Sequence, residues 1–355
     1  MKLRVAVEEN GKFFFENVFL VNEKKAIKRK IEKSTLVYAN AGDYGYGRFL
    51  LDPRSLETAL APDFRPGSAL LQAQLVEALW ESVRDAELAP ERFLDFALRQ
   101  LPQTRDDIVL AGLLARIEIA FRRYLSDPQR DVAAPAVEQT LLAEGALAAG
   151  AESRRLLLLR AYFGLAWSRQ ALADLKRMLD GVLPLPGGAL ASRDRFRIVQ
   201  RLLERGDAEA PARLAAQVAA DRSDDGRRYA YAAGAADSGI KRVLFRAFLD
   251  DPQLPESWIE AALAPLNAPE HAAHTRPLLG EALEKLPRLK RTRKIFFIDG
   301  WLAAFVGGQT APEALAEVES FLRRSDLEPD LRLKLLEAAD GLERAVRIRA
   351  RFAGP

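Results

Sequence analysis

Cysteine is absent from the 355 residues of this chain, and histidine occurs only twice, as His271 and His274. Without cysteine there are no disulfides, no thiolate metal ligands and no cysteine nucleophile. A serine–histidine–aspartate triad would have to be built around the one histidine-containing segment, and no GxSxG nucleophile elbow is present. The sequence therefore offers no catalytic residues of the common nucleophilic classes.

Long hydrophobic runs are also missing. No stretch approaches the roughly 18 uninterrupted apolar residues of a membrane span, and the first residues, MKLRVAVEENGKFFF, lack the apolar core of a signal peptide. We therefore expect a soluble chain without a membrane span. If the chain is the back half of a longer protein, any targeting signal lies in front of it, so its localisation, cytoplasmic or exported, stays unknown.

An excess of one charge is the third missing feature, since 53 Lys and Arg face 50 Asp and Glu, for a net charge of +3. Nucleic-acid binding needs a concentrated basic face, so we expect no nucleic-acid partner. The 49% of hydrophobic and 29% of charged residues are typical of a soluble globular protein. The length suggests roughly two domains of about 150 residues each.

The amino-terminal residues carry strand signals. Residues 2–7 show a period-two pattern of large apolar side chains, Asn10-Gly11 is a strong hairpin signal, and residues 13–21 and 35–38 predict further strands. So few strands make only part of a sandwich and would leave unpaired edges. Either a sister segment is missing, or the strands pack on helices.

Residues 40–52, NAGDYGYGRFLLD, mark the change from strand-like to helical sequence. Their glycines permit backbone angles that other residues resist, and their aromatic residues offer large amphipathic surfaces. We predict a bulged strand whose aromatic side chains hold two domains together. These junction aromatics are Tyr44, Tyr46 and Phe49.

Helical signals continue from there to the end of the chain. Proline–acid pairs such as Pro90-Glu91, Pro269-Glu270 and Pro312-Glu313 predict helix starts, and Thr310 with Glu313 predicts a capping box. An apolar stripe containing Leu331, Leu335, Leu342 and Val346 predicts a long last helix. The many short helices show no clean period. They favour a mainly α fold, a HEAT- or armadillo-like α-solenoid of paired helices, after a small partial β-sandwich.

This arrangement of strands, an aromatic and glycine-containing segment and a long helical region resembles the carboxy-terminal part of zinc aminopeptidases. The resemblance is to the alanyl, or puromycin-sensitive, aminopeptidase family of gluzincins, and the form DYGYGRFLLD is most similar to a bacterial branch. It implies a partial β-sandwich domain over residues 1–52 and a helical solenoid over residues 53–355. In that family the helices form a curved bowl that caps the catalytic domain.

The resemblance also implies what this chain lacks. A zinc aminopeptidase needs an HExxH motif and a further glutamate ligand, and neither HExxH nor the GAMEN-type segment is present. We therefore expect no catalytic residue, no metal ligand and no cofactor in this chain, with zinc in the parent enzyme. The implied partners are the missing catalytic domain of the same polypeptide and peptide substrates. The HAAH pair of His271 and His274 is interpreted as a surface pair without metal.

A basic segment, which comprises six Lys and Arg residues within residues 285–294, allows a sharper hypothesis. Such a run is usually a solvated face. In the aminopeptidase interpretation, basic side chains of the helical domain meet the carboxylate of the peptide substrate, a group that arginine binds in a bidentate manner. The candidates for this contact are Arg291, Arg293 and Lys294.

Two other classes of function stay open at this point. A stand-alone α-solenoid scaffold that binds a partner protein or peptide explains the helices and the missing catalytic residues, but not the incomplete strands. A helical hydrolase with an unrecognised site explains less. The aminopeptidase interpretation is preferred because it accounts for both the strands and the missing zinc motif.

Overall fold

A computed structural model describes residues 2–9, 12–19, 34–66, 68–148, 151–185, 188–294 and 296–353. The chain divides into two compact units, the first ending at Phe121 and the second running from Arg122 to Ala353. The first helix begins at Pro53, where the helical signals of the sequence begin. The predicted domain boundary between residues 52 and 53 stays a prediction.

Three antiparallel strands form the sheet of the first unit, in the order β2-β1-β3. They are β1 (Lys2–Glu9), β2 (Lys12–Phe19) and β3 (Leu36–Tyr38). In the register, Lys2 pairs with Phe19 and Glu9 with Lys12 across β1 and β2, while Ala6 pairs with Tyr38 across β1 and β3. The strand predictions are confirmed, whereas the Asn10-Gly11 turn and residues 20–33 lie outside the described residues.

A helix covers the sheet at β3, whereas side chains of β2 are exposed. At β3, Val37 donates its backbone N–H to Ser55 Oγ (2.8 Å), and Thr58 Oγ1 donates to the carbonyl of Thr35 (2.7 Å). Both side chains belong to helix α1 (Pro53–Leu60), which therefore covers that edge. At β2, the consecutive residues Phe14 and Phe15 remain 55% and 44% exposed. Consecutive strand side chains point to opposite faces, so neither face of the sheet is fully covered at β2.

Residues 40–52 form a loop, and the prediction of a bulged strand there is wrong. The Asn40 side chain explains the difference, because its Oδ1 accepts from Gly45 N (2.8 Å) and its Nδ2 donates to Gly45 O (3.0 Å). Gly42 and Asp43 both have positive φ, +87° and +57°, which closes a tight turn between those bonds. Gln74 donates to Asn40 O (2.7 Å) and fixes the loop to the following helices.

Polar side chains cap helices of the first unit at their N-termini. Asp52 caps α1 by accepting from the backbone N–H groups of Arg54 (3.0 Å) and Ser55 (3.2 Å). Ser68 and Asp106 cap the second and fourth helices in the same way. These helices are α2 (Ala69–Arg84), α3 (Pro90–Gln100) and α4 (Asp107–Ile119), and a π-helical turn (Ala120–Tyr124) continues from α4.

Helices fill the second unit, so the prediction of a mainly α chain with a small β part is confirmed. Helix α17 begins at Pro312 after Ala311, which has no capping side chain, so the capping box predicted at Thr310 and Glu313 is wrong. The helices are α5 (Asp127–Leu147), α6 (Glu152–Leu165), α7 (Arg169–Leu179), α8 (Ser192–Glu204), α9 (Ala210–Ala220), α10 (Asp224–Gly234), α11 (Lys241–Asp250), α12 (Glu256–Leu266), α13 (Ala272–Thr275), α14 (Leu279–Glu284), α15 (Leu286–Thr292), α16 (Phe297–Phe305), α17 (Pro312–Leu322) and α18 (Pro329–Phe352).

Most packing in the second unit is between helices close in sequence: α5 packs on α6, α8 on α10, α10 on α12, α17 on α18. A solenoid has this order. The ends of the unit also meet, however, because Gln129 Nε2 donates to Phe352 O (2.8 Å) and Arg349 Nη1 donates to Leu125 O (2.9 Å). The second unit thus joins its first and last helices, which a linear array of neighbours does not do. The curved-bowl form stays a prediction.

Candidate functional site

The junction aromatics differ in how they are held. Phe49 is half-buried beside Gly45, where an added Cβ would lie 2.8 Å from the Phe49 ring and 2.6 Å from Leu3 Cδ2. Any larger residue at position 45 would therefore displace the Leu3 or Phe49 side chain. Tyr44 is exposed, and the Tyr46 ring is completely so. The role of all three at a domain junction stays a prediction.

Local carboxylates pair with several side chains of the basic segment, among them Lys290 and Arg288. Lys290 Nζ lies 2.5 Å from Glu328 and 2.6 Å from Asp330, which belong to the start of α18. Arg288 pairs with Asp250 at 3.3 Å and donates to the carbonyl of Leu249 (3.1 Å). These side chains tie α15 to neighbouring helices, so their charge is not free to attract a ligand.

The three residues predicted to contact a substrate carboxylate differ in their surroundings. Arg293 is half-buried, donates to Phe248 O (2.9 Å) and lies 5.5 Å from the Phe297 ring centroid. It therefore anchors the turn that follows α15. Arg291 and Lys294 are exposed, and within the described ranges the structure shows no carboxylate paired with either side chain. The contact of any of the three with a substrate stays a prediction.

The two histidines do not form the surface pair that the sequence suggested. His274 is exposed, but His271 is buried with its Nε2 2.9 Å from the carbonyl oxygen of Glu204. The rings are perpendicular with centroids 5.8 Å apart. A zinc site needs three or four converging ligands, and the part of the chain that the structure describes holds no group of three His, Asp or Glu side chains able to bind a metal. These residues do not fit zinc.

A buried network of four charged side chains is the main polar feature of the second unit, and the sequence reasoning missed it. Arg201 Nη1 lies 2.7 Å from Glu204 Oε2 and 2.7 Å from Glu270 Oε1. Arg122 Nη2 lies 3.1 Å from Glu204 and 2.9 Å from Glu270. Arg201 is only 1% exposed, so each of these charges depends on the others for solvation.

The pKa values of the network and of nearby side chains are shifted from their ordinary values. Burial by itself would raise the pKa of Glu270, but Arg122 and Arg201 hold that pKa well below its ordinary value. Burial lowers the pKa of Lys241 to about 8, although its ammonium donates to the carbonyls of Ala235 (2.8 Å) and Pro265 (3.1 Å). Burial, together with the Lys241 charge, also lowers the pKa of His271. The whole region favours neutral histidine and ionised glutamate.

The sequence contained only a faint signal of this network. Arg201 and Glu204 stand three residues apart on α8, a spacing that is common on exposed helix faces. Pro269-Glu270 was interpreted as a helix start, and Glu270 does stand in a 3₁₀ turn (Pro269–His271). Its carboxylate, however, reaches Arg122, 148 positions earlier in the chain, which no local pattern reveals.

The four side chains of the buried network pair with one another. Among the helices that the structure describes, none is long and apolar enough to cross a bilayer. Residues 36–344 match the ERAP1-like C-terminal domain family. The chain belongs to this family. The ERAP1-like C-terminal domain thus covers the loop of residues 40–52, the basic segment and the buried network.

A second comparison agrees with this assignment. This chain is 26% identical over 326 residues to "Aminopeptidase N" of Streptomyces lividans. The alignment covers 90% of this chain and 37% of that protein. The chain therefore spans little more than a third of the length of the relative that it matches.

Proposed function

We propose that this chain is the C-terminal, non-catalytic portion of a zinc metallo-aminopeptidase that removes N-terminal amino acids from peptides. In this proposal it caps the active site, lines the peptide chamber and helps to select substrates. The family match over residues 36–344 carries the proposal. The similarity to an aminopeptidase over 90% of the chain supports it.

A catalytic domain of the same polypeptide is the proposed partner. The exposed Phe14 and Phe15 on β2 support this, because they leave apolar area on both faces of the described sheet, which a further domain can bury. The exposed ring of Tyr46 lies in the same unit and suits an interface, since it combines apolar area with a polar hydroxyl. We infer that the missing half of the sandwich covers one of these two faces of the sheet.

The isolated chain should show no peptidase activity and should hold no stoichiometric zinc. The reason is chemical: the chain has two histidines, one of which is bound to a backbone carbonyl, and no HExxH motif. Purified protein is assayed with aminoacyl chromogenic substrates and its metal content is measured. Turnover that a chelator abolishes and zinc restores would contradict the proposal. Reading the gene upstream of Met1 for HExxH and a later glutamate tests it independently.

We propose that the exposed charged side chains of the basic segment bind the carboxylate of the substrate. Arg291 and Lys294 are better placed for this than Arg293, which already donates to Phe248 O. An added charge-assisted contact is worth about 1.5 to 3 kcal/mol. Such a contact is lost when the peptide carries a C-terminal amide in place of the carboxylate.

Arg291→Ala and Lys294→Ala, made in the complete enzyme, should raise KM for free peptides by on the order of tenfold to a hundredfold, and Arg293→Ala should raise it less. Aminoacyl anilides, which have no carboxylate, should be nearly unaffected. Arg288→Ala is the matched control, because Arg288 is already paired with Asp250. Steady-state kinetics on each free peptide and its amide make the measurement. If replacing the carboxylate with an amide raises KM by the same factor for the wild type and the three variants, the segment does not bind the carboxylate.

A further inference from the structure

The ring of His271 joins a 3₁₀ turn (Pro269–His271) to the end of α8. Its Nε2 lies 2.9 Å from the carbonyl oxygen of Glu204, the last residue of α8. A carbonyl oxygen can only accept a hydrogen bond, so Nε2 carries a proton in this contact. In the neutral ring Nδ1 then carries none. The contact thus fixes one tautomer of the neutral imidazole.

The surroundings of Nδ1 offer no acceptor for a second proton. His271 is 7% exposed, and among the described residues its Nδ1 has no hydrogen-bond partner. A protonated Nδ1 would be a buried donor, and buried donors in proteins are nearly always hydrogen-bonded. It would also bring a charge into the interior, which costs free energy unless a counter-charge is available. This place therefore suits the neutral ring.

A buried cation on α11 acts on the ring. Lys241 is 3% exposed, and its ammonium donates to the carbonyls of Ala235 (2.8 Å) and Pro265 (3.1 Å), which fixes its position. Burial and the charge of Lys241 together lower the pKa of His271 from its ordinary value of 6.5. Protonation of His271 would add a second positive charge to this region.

The carboxylates that act on the ring are already paired. Glu204 and Glu270 each contact both Arg122 and Arg201, at distances of 2.7 to 3.1 Å. Their attraction raises the pKa of His271 less than burial and Lys241 lower it. The charged or titratable groups on the elements around the ring are Arg201, Glu204 and Arg205 at the end of α8, Arg122 in the π-helical turn, Asp237 and Lys241 at the start of α11, Glu270 in the 3₁₀ turn and the exposed His274 of α13.

We propose that His271 is an acid-sensitive switch, and that protonation of its ring releases the 3₁₀ turn from the end of α8. Glu270 lies in the same turn, so its bonds to Arg122 and Arg201 are released with it. The buried network then opens at a pH where histidine titrates, while its carboxylates are still ionised. The switch is independent of the proposed peptidase function.

The first test determines the state of the His271 ring. The chain has two histidines, so the intact chain with His274→Gln carries His271 as its single imidazole. At about pH 7.5, ¹⁵N NMR of that imidazole should show a neutral ring with its proton on Nε2. An imidazolium, or a neutral ring with its proton on Nδ1, would overturn the proposal.

The second test compares the pH dependence of two matched variants, His271→Gln and His274→Gln. Because the pKa of His271 is depressed in the folded state, its stabilisation is complete above 6.5 and is lost as pH falls through the folded value. Between about pH 7.5 and 5.5, the unfolding equilibrium constant of His274→Gln should rise by up to about tenfold more than that of His271→Gln. The glutamine amide can donate to the same carbonyl but takes no proton. Urea unfolding measures both constants, and equal rises in the two variants would contradict the switch.

Hydrogen exchange locates the opening. At about pH 5.5 and after correction for the intrinsic rate, the amides of the 3₁₀ turn and of the end of α8 should lose protection in His274→Gln and keep it in His271→Gln. Lys241→Met removes the neighbouring cation and should reduce the loss of protection on acidification, whatever its effect on overall stability. An equal loss in His271→Gln, or an undiminished loss in Lys241→Met, would overturn the proposal.

Discussion

Arg201→Met should destabilise the second unit by about 3 to 5 kcal/mol, because it leaves two buried glutamates with a single arginine. Arg201 bonds both Glu204 and Glu270 at 2.7 Å and also donates to the carbonyl of Ala166. Methionine fills much of the same volume, so lost packing contributes little. Urea unfolding followed by tryptophan fluorescence measures the change. A Trp80→Phe background leaves three of the four tryptophans, all of them in the second unit.

Arg193→Met is the control for this prediction, since Arg193 is exposed on the same helix and should change stability by no more than about 0.5 kcal/mol. The double variant Arg201→Met/Glu270→Gln should recover part of the loss, because it removes one of the unpaired charges. If the double variant lost as much stability as the two single variants added together, Arg201 and Glu270 would not be energetically coupled.

The pH dependence gives a second measurement of the same network. The pKa of Glu204 and that of Glu270 are depressed in the folded state, despite burial, by Arg122 and Arg201. Their stabilisation is therefore complete above the ordinary value of 4.5 and is lost as pH falls through the folded values. Wild type should lose stability more steeply than Arg201→Met in this acidic range. Parallel profiles for the two proteins would assign the acid loss to other groups.

Local sequence signals predicted the helices and strands of this chain well. Prolines at positions 90, 312 and 329 begin α3, α17 and α18, and Leu331, Leu335 and Leu342 are buried on α18 as the apolar stripe indicated. These features depend on residues a few positions apart. Residues 40–52 differ from the prediction, because the side chain of Asn40 bonds the backbone of Gly45 and a loop forms in place of a strand.

Polar features that join distant residues were not predictable in this way. The basic segment was visible as a run of charges, but its partners Glu328 and Asp330 lie 38 and 40 positions from Lys290. His271 was interpreted as one of an exposed pair. The carbonyl that binds it belongs to Glu204, 67 positions earlier. Such pairings follow from the way the helices stack, which single-sequence periodicity does not encode.

Trp301→Ala should cost about 3 to 5 kcal/mol, because it empties the centre of the aromatic core of the second unit. Trp301 is fully buried, and its ring centroid lies 4.4 Å from that of Phe305 and 5.9 Å from that of Phe245. Leu286 and Leu289 of α15 are buried in the same core. The loss should therefore also loosen the helix that carries Arg291.

Trp301→Phe separates packing from hydrogen bonding in this prediction. Trp301 Nε1 donates to the buried carbonyl of Ala282 (3.1 Å), and phenylalanine keeps most of the ring contacts while losing that bond. We expect Trp301→Phe to cost about 1 to 3 kcal/mol, well below the alanine variant. Urea unfolding of the two proteins gives the comparison, and hydrogen exchange at α15 shows whether the helix opens locally. Equal costs would mean that the bond to Ala282, and not the aromatic core, determines the contribution of Trp301. Unchanged exchange at α15 in Trp301→Ala would mean that the basic segment is held independently of this core.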